Sequence, residues 1–419
     1  MADADVLIIG AGASGLAAAA EARRKGERVL LLEAQSRPGR KILASGNGRC
    51  NLLNLNPPVY YGDSAFAKRV IENCGAAEII RFFESIGLKV RDDGEGRVYP
   101  YTLQSSTVLE SLLHALESAG VSILTGQRVS GLKKNKNSFE ATALGGERFF
   151  GGRVIVCAGS PAHPDLGGCG DAPGLLLPFG HRRMPFRPVL TPLTAEKRSI
   201  SGLSGIRVRC HIRVLNDEKE VYRNRGEALF TEDGISGICV MQCARFVEPG
   251  VSVCELNLIP GLFSGRDEAL EYLQKQRSRC AGSEPVRLIE GICVPRLAFA
   301  ICKQAGMALR GEKCAELTDK DLEAVYQVMT HYRVRITGTK GLDRAQSAAG
   351  GLDCGDFEPS RMESRLIPGL HAAGEALNVD GDCGGFNLMF AWASGLLAGR
   401  NGDVPSALPA AGQKLNGRD

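Results

Sequence analysis

Four consecutive apolar residues, Val6 to Ile9, open the chain and lead into a glycine-rich turn and an alanine-rich stretch. A run of this kind, mostly β-branched, predicts a strand buried on both faces. Residues 14 to 25 then read as a helix, and Val29 to Leu32 as a second strand ending at Glu33. Further on the period changes. Residues 189 to 260 carry alternating segments such as IRVRCHIRVL and VSVCELNLI, the period-2 pattern of β structure. Residues 265 to 332 place apolar positions three and four apart, in DEALEYLQKQR and DKDLEAVYQVMTHY, which predicts helices. RVRITGTKGLDRAQ then leads back, and residues 369 to 399 read as a short strand, a glycine-rich loop and an apolar helix. These shifts predict a first domain over 1–187, resumed over 336–402. Between its halves lie a β-rich insert, 188–262, and a helical insert, 263–335, and a flexible tail follows at 403–419.

The segment from Asp5 to Lys41 therefore predicts a dinucleotide-binding βαβ unit of an α/β, Rossmann-like fold. Gly10 makes the tight turn, Gly12 lets backbone approach a pyrophosphate, and Gly15 lets helix pack on strand. Ala13 and Ser14 lie at the N-terminus of the helix, whose free N–H groups and positive dipole end suit phosphate. Glu33, 18 positions after Gly15, is placed to accept from both ribose hydroxyls, with Ala34 beside it. The motif does not separate FAD from NAD(P). The late segment does, because a strand running into Gly374 and Glu375 and a helix opening near Gly384 and Gly385 resemble the closing half of two-dinucleotide-binding flavoproteins. Glu375 is then expected by the ribityl or pyrophosphate, and the helix N-terminus by the flavin, where it stabilises the negative charge of the reduced ring. A third piece, Arg153 to Gly159, resembles the flavoprotein strand ending at Ala158 and Gly159 beside the adenine half. Gly39, Arg40, Lys41, Asn47, Gly48, Asn51, Arg128, Val129, Asp382, Phe386 and Asn387 complete the expected cofactor-binding set.

GRKILASGNGRCNLLN (39–54), GRVYP (96–100), GEALFTEDGISG (226–237), ITGTKGLDRAQSAAGG (336–351) and MESRLIPGLHAAGEALNVDGDCGGFNLMFAWASG (362–395) resemble the signatures of the BaiN/RdsA-type NAD(P)/FAD-dependent oxidoreductases. These are also called aminoacetone-oxidase-like flavoproteins. The resemblance implies an FAD-binding domain interrupted by a β-rich and a small helical part. It also implies a choice of activities: reduction of a conjugated double bond, oxidation of an aminoketone, or reduction of a uridine in ribosomal RNA. Two departures stand out. Ala348 occupies a position where the family usually has Thr, which removes a hydroxyl contact to the flavin. Phe230-Thr231-Glu232-Asp233-Gly234 stands where the family has a His and an aromatic ring, which puts a shared substrate contact in doubt.

Composition changes the picture little. The chain has 419 residues, 44% of them hydrophobic, and a formal charge of +4, too weakly basic to demand a nucleic acid partner. Residues 1 to 5 lead straight into a strand, so no signal peptide is expected, and the longest nearly uncharged run, Gly384 to Gly399, suits a core helix better than a membrane span. A cytoplasmic enzyme without a membrane partner follows. Fourteen cysteines form no C-x-x-C pair, so reduced packing residues are expected rather than a metal site or a redox disulfide.

For catalysis, the flavin carries the hydride and the protein supplies position and a proton. Cys50 with Arg49, and Cys383, are the candidate catalytic residues, each thiol also being a plausible space filler. Tyr99 to Tyr101 are candidates for an aromatic wall by the substrate, and His163 and His331 are histidines of interest. No second GxGxxG follows a strand, so NAD(P)H is expected to dock transiently as electron donor. Three activities compete: NAD(P)H-fed reduction of an activated C=C in a small molecule, the same chemistry on uracil in ribosomal RNA, and amine oxidation with oxygen. The first is favoured here. The second calls for a basic surface, for which KQRSR and HYRVR are modest candidates.

Overall fold

The computed structural model describes residues 3–307 and 311–400; the expected tail, 403–419, lies outside the described residues. The chain divides into two units, one built from residues up to 160, 169–184 and from 350 onward, the other from 161–168 and 185–349.

In the first unit, β1 (Ala4–Ile9) and β2 (Val29–Leu32) pair in parallel on either side of α1 (Ala13–Arg24) in sequence, as the apolar runs predict. The sheet runs Ser122–Leu124, β2, β1, Arg148–Val156, Phe139–Ala143, Val129–Lys134. Arg148–Val156 is long enough to use one edge twice. Its first half pairs antiparallel with Phe139–Ala143, and its second half, Val154 to Val156, pairs in parallel with Leu370–Ala372. The late segment thus returns to the first sheet, as expected for a Rossmann-type flavoprotein fold.

The helix that follows, α2 (Phe386–Gly399), is buried almost all round and lies against α1. Gly395 and Gly399 permit this. A Cβ on either would overlap backbone of α1, at the Ser14 and Ala18 carbonyl oxygens respectively. At the far end, Arg153 is 7% exposed and donates to the Ala398 and Gly399 carbonyls (2.8 and 3.0 Å) while holding Glu27 at 2.6 and 3.0 Å. A cation here satisfies orphan carbonyls and complements the negative helix end.

The second unit is a closed six-stranded barrel. Around it run Leu193–Ala195, Gly234–Ser236, Lys219–Phe230, Arg207–Asn216, Val253–Asn257 and Tyr332–Thr339. Helices Arg266–Arg279, Pro295–Gln304 and Asp319–Thr330 share one core with it, Leu273, Ile301 and Val325 packing in the same cluster as Ile212, Leu256 and Val334. The sequence divides this region at 262 and 335. The barrel instead closes on Tyr332–Thr339, across the second of those boundaries, because Tyr332, Val334 and Ile336 alternate inward. Among the described residues no helix is long and apolar enough to cross a membrane, and all fourteen cysteines are free thiols, ten of them buried.

Candidate functional site

The three glycines of the first turn do different work. Gly10 has φ +103°, and a Cβ there would overlap the Cys157 carbonyl; a Cβ on Gly15 would overlap the Gly10 carbonyl. Both are required by the protein itself. Gly12 has φ −81°, open to any residue, and a Cβ there meets nothing within 4 Å. It caps α1 without a side chain, so the first amides of the helix face that open space with no internal partner. A cradle that only a side chain would fill, at a bare helix N-terminus, fits a pyrophosphate.

Around it the predicted residues converge within the first unit. Glu33 is pinned by two backbone amides, Oε2 accepting from Ala11 (2.7 Å) and Oε1 from Gln35 (2.8 Å). A carboxylate has further lone pairs for ribose hydroxyls. Gly39, at φ +69°, donates its N–H to the Ala11 carbonyl, which ties the second turn to the first. Arg40 donates to Gln35 Oε1 at 2.9 Å. Lys41 and Glu375, distant in sequence, form an ion pair at 2.5 Å, and Ser160 Oγ donates to the same carboxylate oxygen at 3.2 Å. Gly374 has φ +70°, a Cβ there would press on Ser14, and its N–H reaches the buried Ser394 hydroxyl at 3.0 Å. Ala34, Ala158 and Gly159 are half-buried, the last with open space where a Cβ would stand. Arg128 does not point a free guanidinium at this turn: it holds Asp171 through two 2.9 Å contacts, and Val129 is buried in the sheet.

A second loop pair is braced equally. Asn54 Nδ2 donates to the Gly384 carbonyl (2.7 Å), and Tyr61 donates its hydroxyl to Asp382 (3.0 Å). The Asn387 side chain turns back to Gly381, accepting from its N–H at 2.8 Å and donating to its carbonyl at 2.9 Å. Phe386 is buried edge-on to Tyr60. Gly385 has φ +106°, and a Cβ there would press on Asn51 Oδ1 and the Leu53 carbonyl. Asn51 Oδ1 is buried with no hydrogen-bond partner among the described residues. An orphaned acceptor beside the uncapped N-terminus of α2 calls for a donor from a ligand. Asn47, at φ +54°, and Arg49 are exposed, and Gly48 has room for a Cβ.

The two candidate thiols part company. Cys383 is half-buried, with burial pushing its thiol above the ordinary range. Cys50 has no exposed surface, sits at φ +55°, and burial pushes its thiol up to about 12, features that suit the space-filling alternative. Ala348 is buried, and Asp233, in the departing FTEDG segment, forms an ion pair with Lys340. His163 (φ +56°) and His331 both lie in the second unit, His331 Nδ1 within 2.8 Å of the Thr330 hydroxyl. Ser160, Ser394 and Asn54 escaped the sequence reading, although a lone Ser in the apolar run of α2 was a signal available for one of them.

A profile described as the HI0933-like protein Rossmann domain matches residues 4–401. The chain is similar to the 3-dehydro-bile acid Δ(4,6)-reductase of Clostridium scindens, 34% identical over 403 residues that cover 94% of this chain and 97% of that protein. It is also similar to the ribosomal RNA dihydrouridine synthases of Escherichia coli and Haemophilus influenzae, at 28% and 27% identity, each alignment covering 93% of this chain and 96% of the relative.

Proposed function

Because the chain belongs to the HI0933-like Rossmann family it is an FAD-dependent oxidoreductase, and we propose that it reduces a carbon–carbon double bond conjugated to a carbonyl in a small molecule, fed by NAD(P)H in the cytoplasm. The observation that carries this is the 34% identity, over nearly all of both chains, to a relative named for reducing the double bonds of a keto bile acid. The fourteen unpaired thiols support a reducing compartment.

FAD, when bound, supplies the hydride. Gly12 and the first amides of α1, Ala13 and Ser14 among them, would take the pyrophosphate, with Lys41 and Glu375 fixing the second turn against it. Glu33 would accept from the ribose, Asn51 Oδ1 from a ring N–H, and the Gly384–Gly385 end of α2 would face the ring's negative edge. Cys383 is the proton donor of this scheme. Its raised pKa keeps the thiol protonated at neutral pH, so it can deliver a proton to the carbon beside the carbonyl and regain one from solvent. Arg49 stands exposed on the adjoining loop, suited to an electron-rich substrate edge.

Ribosomal RNA is the second substrate class. Two dihydrouridine synthase relatives favour it, as do Arg209 and Arg225 on paired barrel strands and Arg335 on the strand Tyr332–Thr339, all exposed and without an acidic partner among the described residues. The test is a panel of cyclic enones and an RNA transcript, each incubated with NAD(P)H and the enzyme. A mass gain of two hydrogens in the enones supports the first reading, and a gain confined to uridine replaces it with the second.

A further inference from the structure

Strand Arg97–Pro100 lies between Leu53–Asn54 and Val90–Asp92, with Leu53 opposite Val98 and Arg91 opposite Tyr99. Asn54 carries this small sheet to the loop of α2 through its bond to the Gly384 carbonyl, and the Leu53 carbonyl abuts Gly385. Val98 turns into the core at 2% exposure, so Tyr99, its neighbour in the pleat, faces the other way and is half-buried. Its hydroxyl makes no hydrogen bond among the described residues. Among the nearer tyrosines, Tyr60 donates to Phe386 and Tyr61 to Asp382, whereas Tyr99 does neither.

The surroundings of that free hydroxyl are specific. Arg97, on the same face, is engaged by Asp93 at 2.6 Å and by Glu95. Arg49 has no ion pair among the described residues, and its charge reaches the phenol, as does the Cys383 thiol. Burial raises the phenol above its ordinary pKa, so it remains a donor at neutral pH. Cys383 adjoins Gly384, Arg49 stands two residues before Asn51, which abuts Gly385, and the strand of Tyr99 is tied to the same loop through Asn54, so an unused O–H, an unused guanidinium and a protonated thiol are gathered around the Gly384 loop.

We propose that the Tyr99 hydroxyl donates to the carbonyl oxygen of the substrate, with the Arg49 guanidinium supplying charge beside it, an oxyanion site that rests on the reductase reading above. When hydride reaches the far carbon of a conjugated enone, the π electrons move onto the carbonyl oxygen and an enolate forms. A preorganised donor and a cation are worth most where that charge develops. The enolate then takes its proton at carbon, and Tyr99 ends as it began.

Phenolates mimic an enolate in shape and charge, and a phenolate held against oxidised flavin gives a long-wavelength charge-transfer absorbance. The FAD-loaded enzyme is titrated with 4-chlorophenol, alongside Tyr99→Phe, Arg49→Gln and, as control, Tyr101→Phe, which alters a ring 66% exposed over Arg91. Flavin absorbance per protein confirms that each variant is folded and loaded. A hydrogen bond to a charged group predicts weaker binding by about 10- to 100-fold in Tyr99→Phe, a smaller loss in Arg49→Gln, and no change in Tyr101→Phe. Equal affinity in Tyr99→Phe and wild type, or no phenol complex in wild type, overturns the assignment. Enone reduction, measured on the same preparations, separates the two levels: reduction without a Tyr99 effect on phenol binding sinks the oxyanion site alone, whereas no enone reduction sinks the reading beneath it.

Discussion

Replacing Gly12 and Gly15 separately should divide cofactor binding from folding. Gly12→Val adds atoms where nothing lies within 4 Å, at a φ of −81° that valine tolerates. Its cost to the apo protein is that of a poorer helix cap, about 1 kcal/mol or less. The added side chain occupies the place proposed for the pyrophosphate. Wild-type protein gains about 2.7 kcal/mol from FAD present at 100 times its Kd, and Gly12→Val should lose that gain entirely. Gly15→Val is the reverse case. Its side chain runs into the Gly10 carbonyl, a backbone atom with nowhere to move, and overpacking of this kind costs about 1–3 kcal/mol or more before FAD is considered. The assay is thermal melting of each protein with and without added FAD, together with flavin absorbance after desalting. Gly12→Val should melt near apo wild type in both conditions and be colourless. A yellow Gly12→Val, or one whose melting point FAD raises as in wild type, would refute the assignment of that open space.

Further expectations concern the frame and the thiols. Arg153→Met removes the buried guanidinium that holds Glu27 and uncovers two carbonyls at the end of α2, so urea melts should show a loss of about 3–5 kcal/mol, partly restored by adding Glu27→Gln. Gly395→Leu should push α2 off α1 and lower both stability and FAD retention, whereas Leu388→Ala on the same helix, half-buried, should do less to FAD retention in the same desalting assay. His371 is buried, which with the nearby Arg153 charge lowers its pKa to about 4. The unfolded chain therefore binds a proton that the folded one refuses between about pH 6.5 and 4. Stability from this residue is present above that window and falls by up to about 3 kcal/mol across it as pH drops. His371→Gln should flatten that part of the urea-stability profile. Cys383→Ala should slow product formation in solvent-isotope measurements, with a larger isotope effect as water replaces the thiol; an unchanged rate and isotope effect would remove Cys383 from the chemistry.

How much of this was legible in the sequence depends on how local each cause is. Gly10, Gly12 and Gly15 act within one turn, and the apolar run before them and Glu33 after them lie within two elements, so spacing exposes them. Leu370–Ala372 could be expected beside the first sheet because its Ala-Gly-Glu ending has a recognisable form. The ion pair of Lys41 with Glu375 could not, since contacts between remote segments leave no spacing behind. Gly395 and Gly399 read as ordinary glycines in an apolar helix until the small face of α1, with Ser14 and Ala18, lies against them. Cys50 is the opposite case: a thiol next to Arg and Asn in a glycine-rich loop suits either an acid or a space filler in the sequence, and only the structure shows that it is fully buried at a left-handed backbone position. Tyr332–Thr339 alternates visibly but reads as a connector in the sequence, because closure of a barrel by its last strand depends on a partner edge more than a hundred residues earlier.

The most direct measurement is anaerobic stopped-flow absorbance of the flavin in two steps, first with NADH, NADPH or aminoacetone as separate donors, then with an enone added to the bleached enzyme. The account predicts rapid bleaching by a nicotinamide and return of the oxidised spectrum when the enone arrives. Bleaching by aminoacetone alone, with the colour returning only on admission of oxygen, would contradict it.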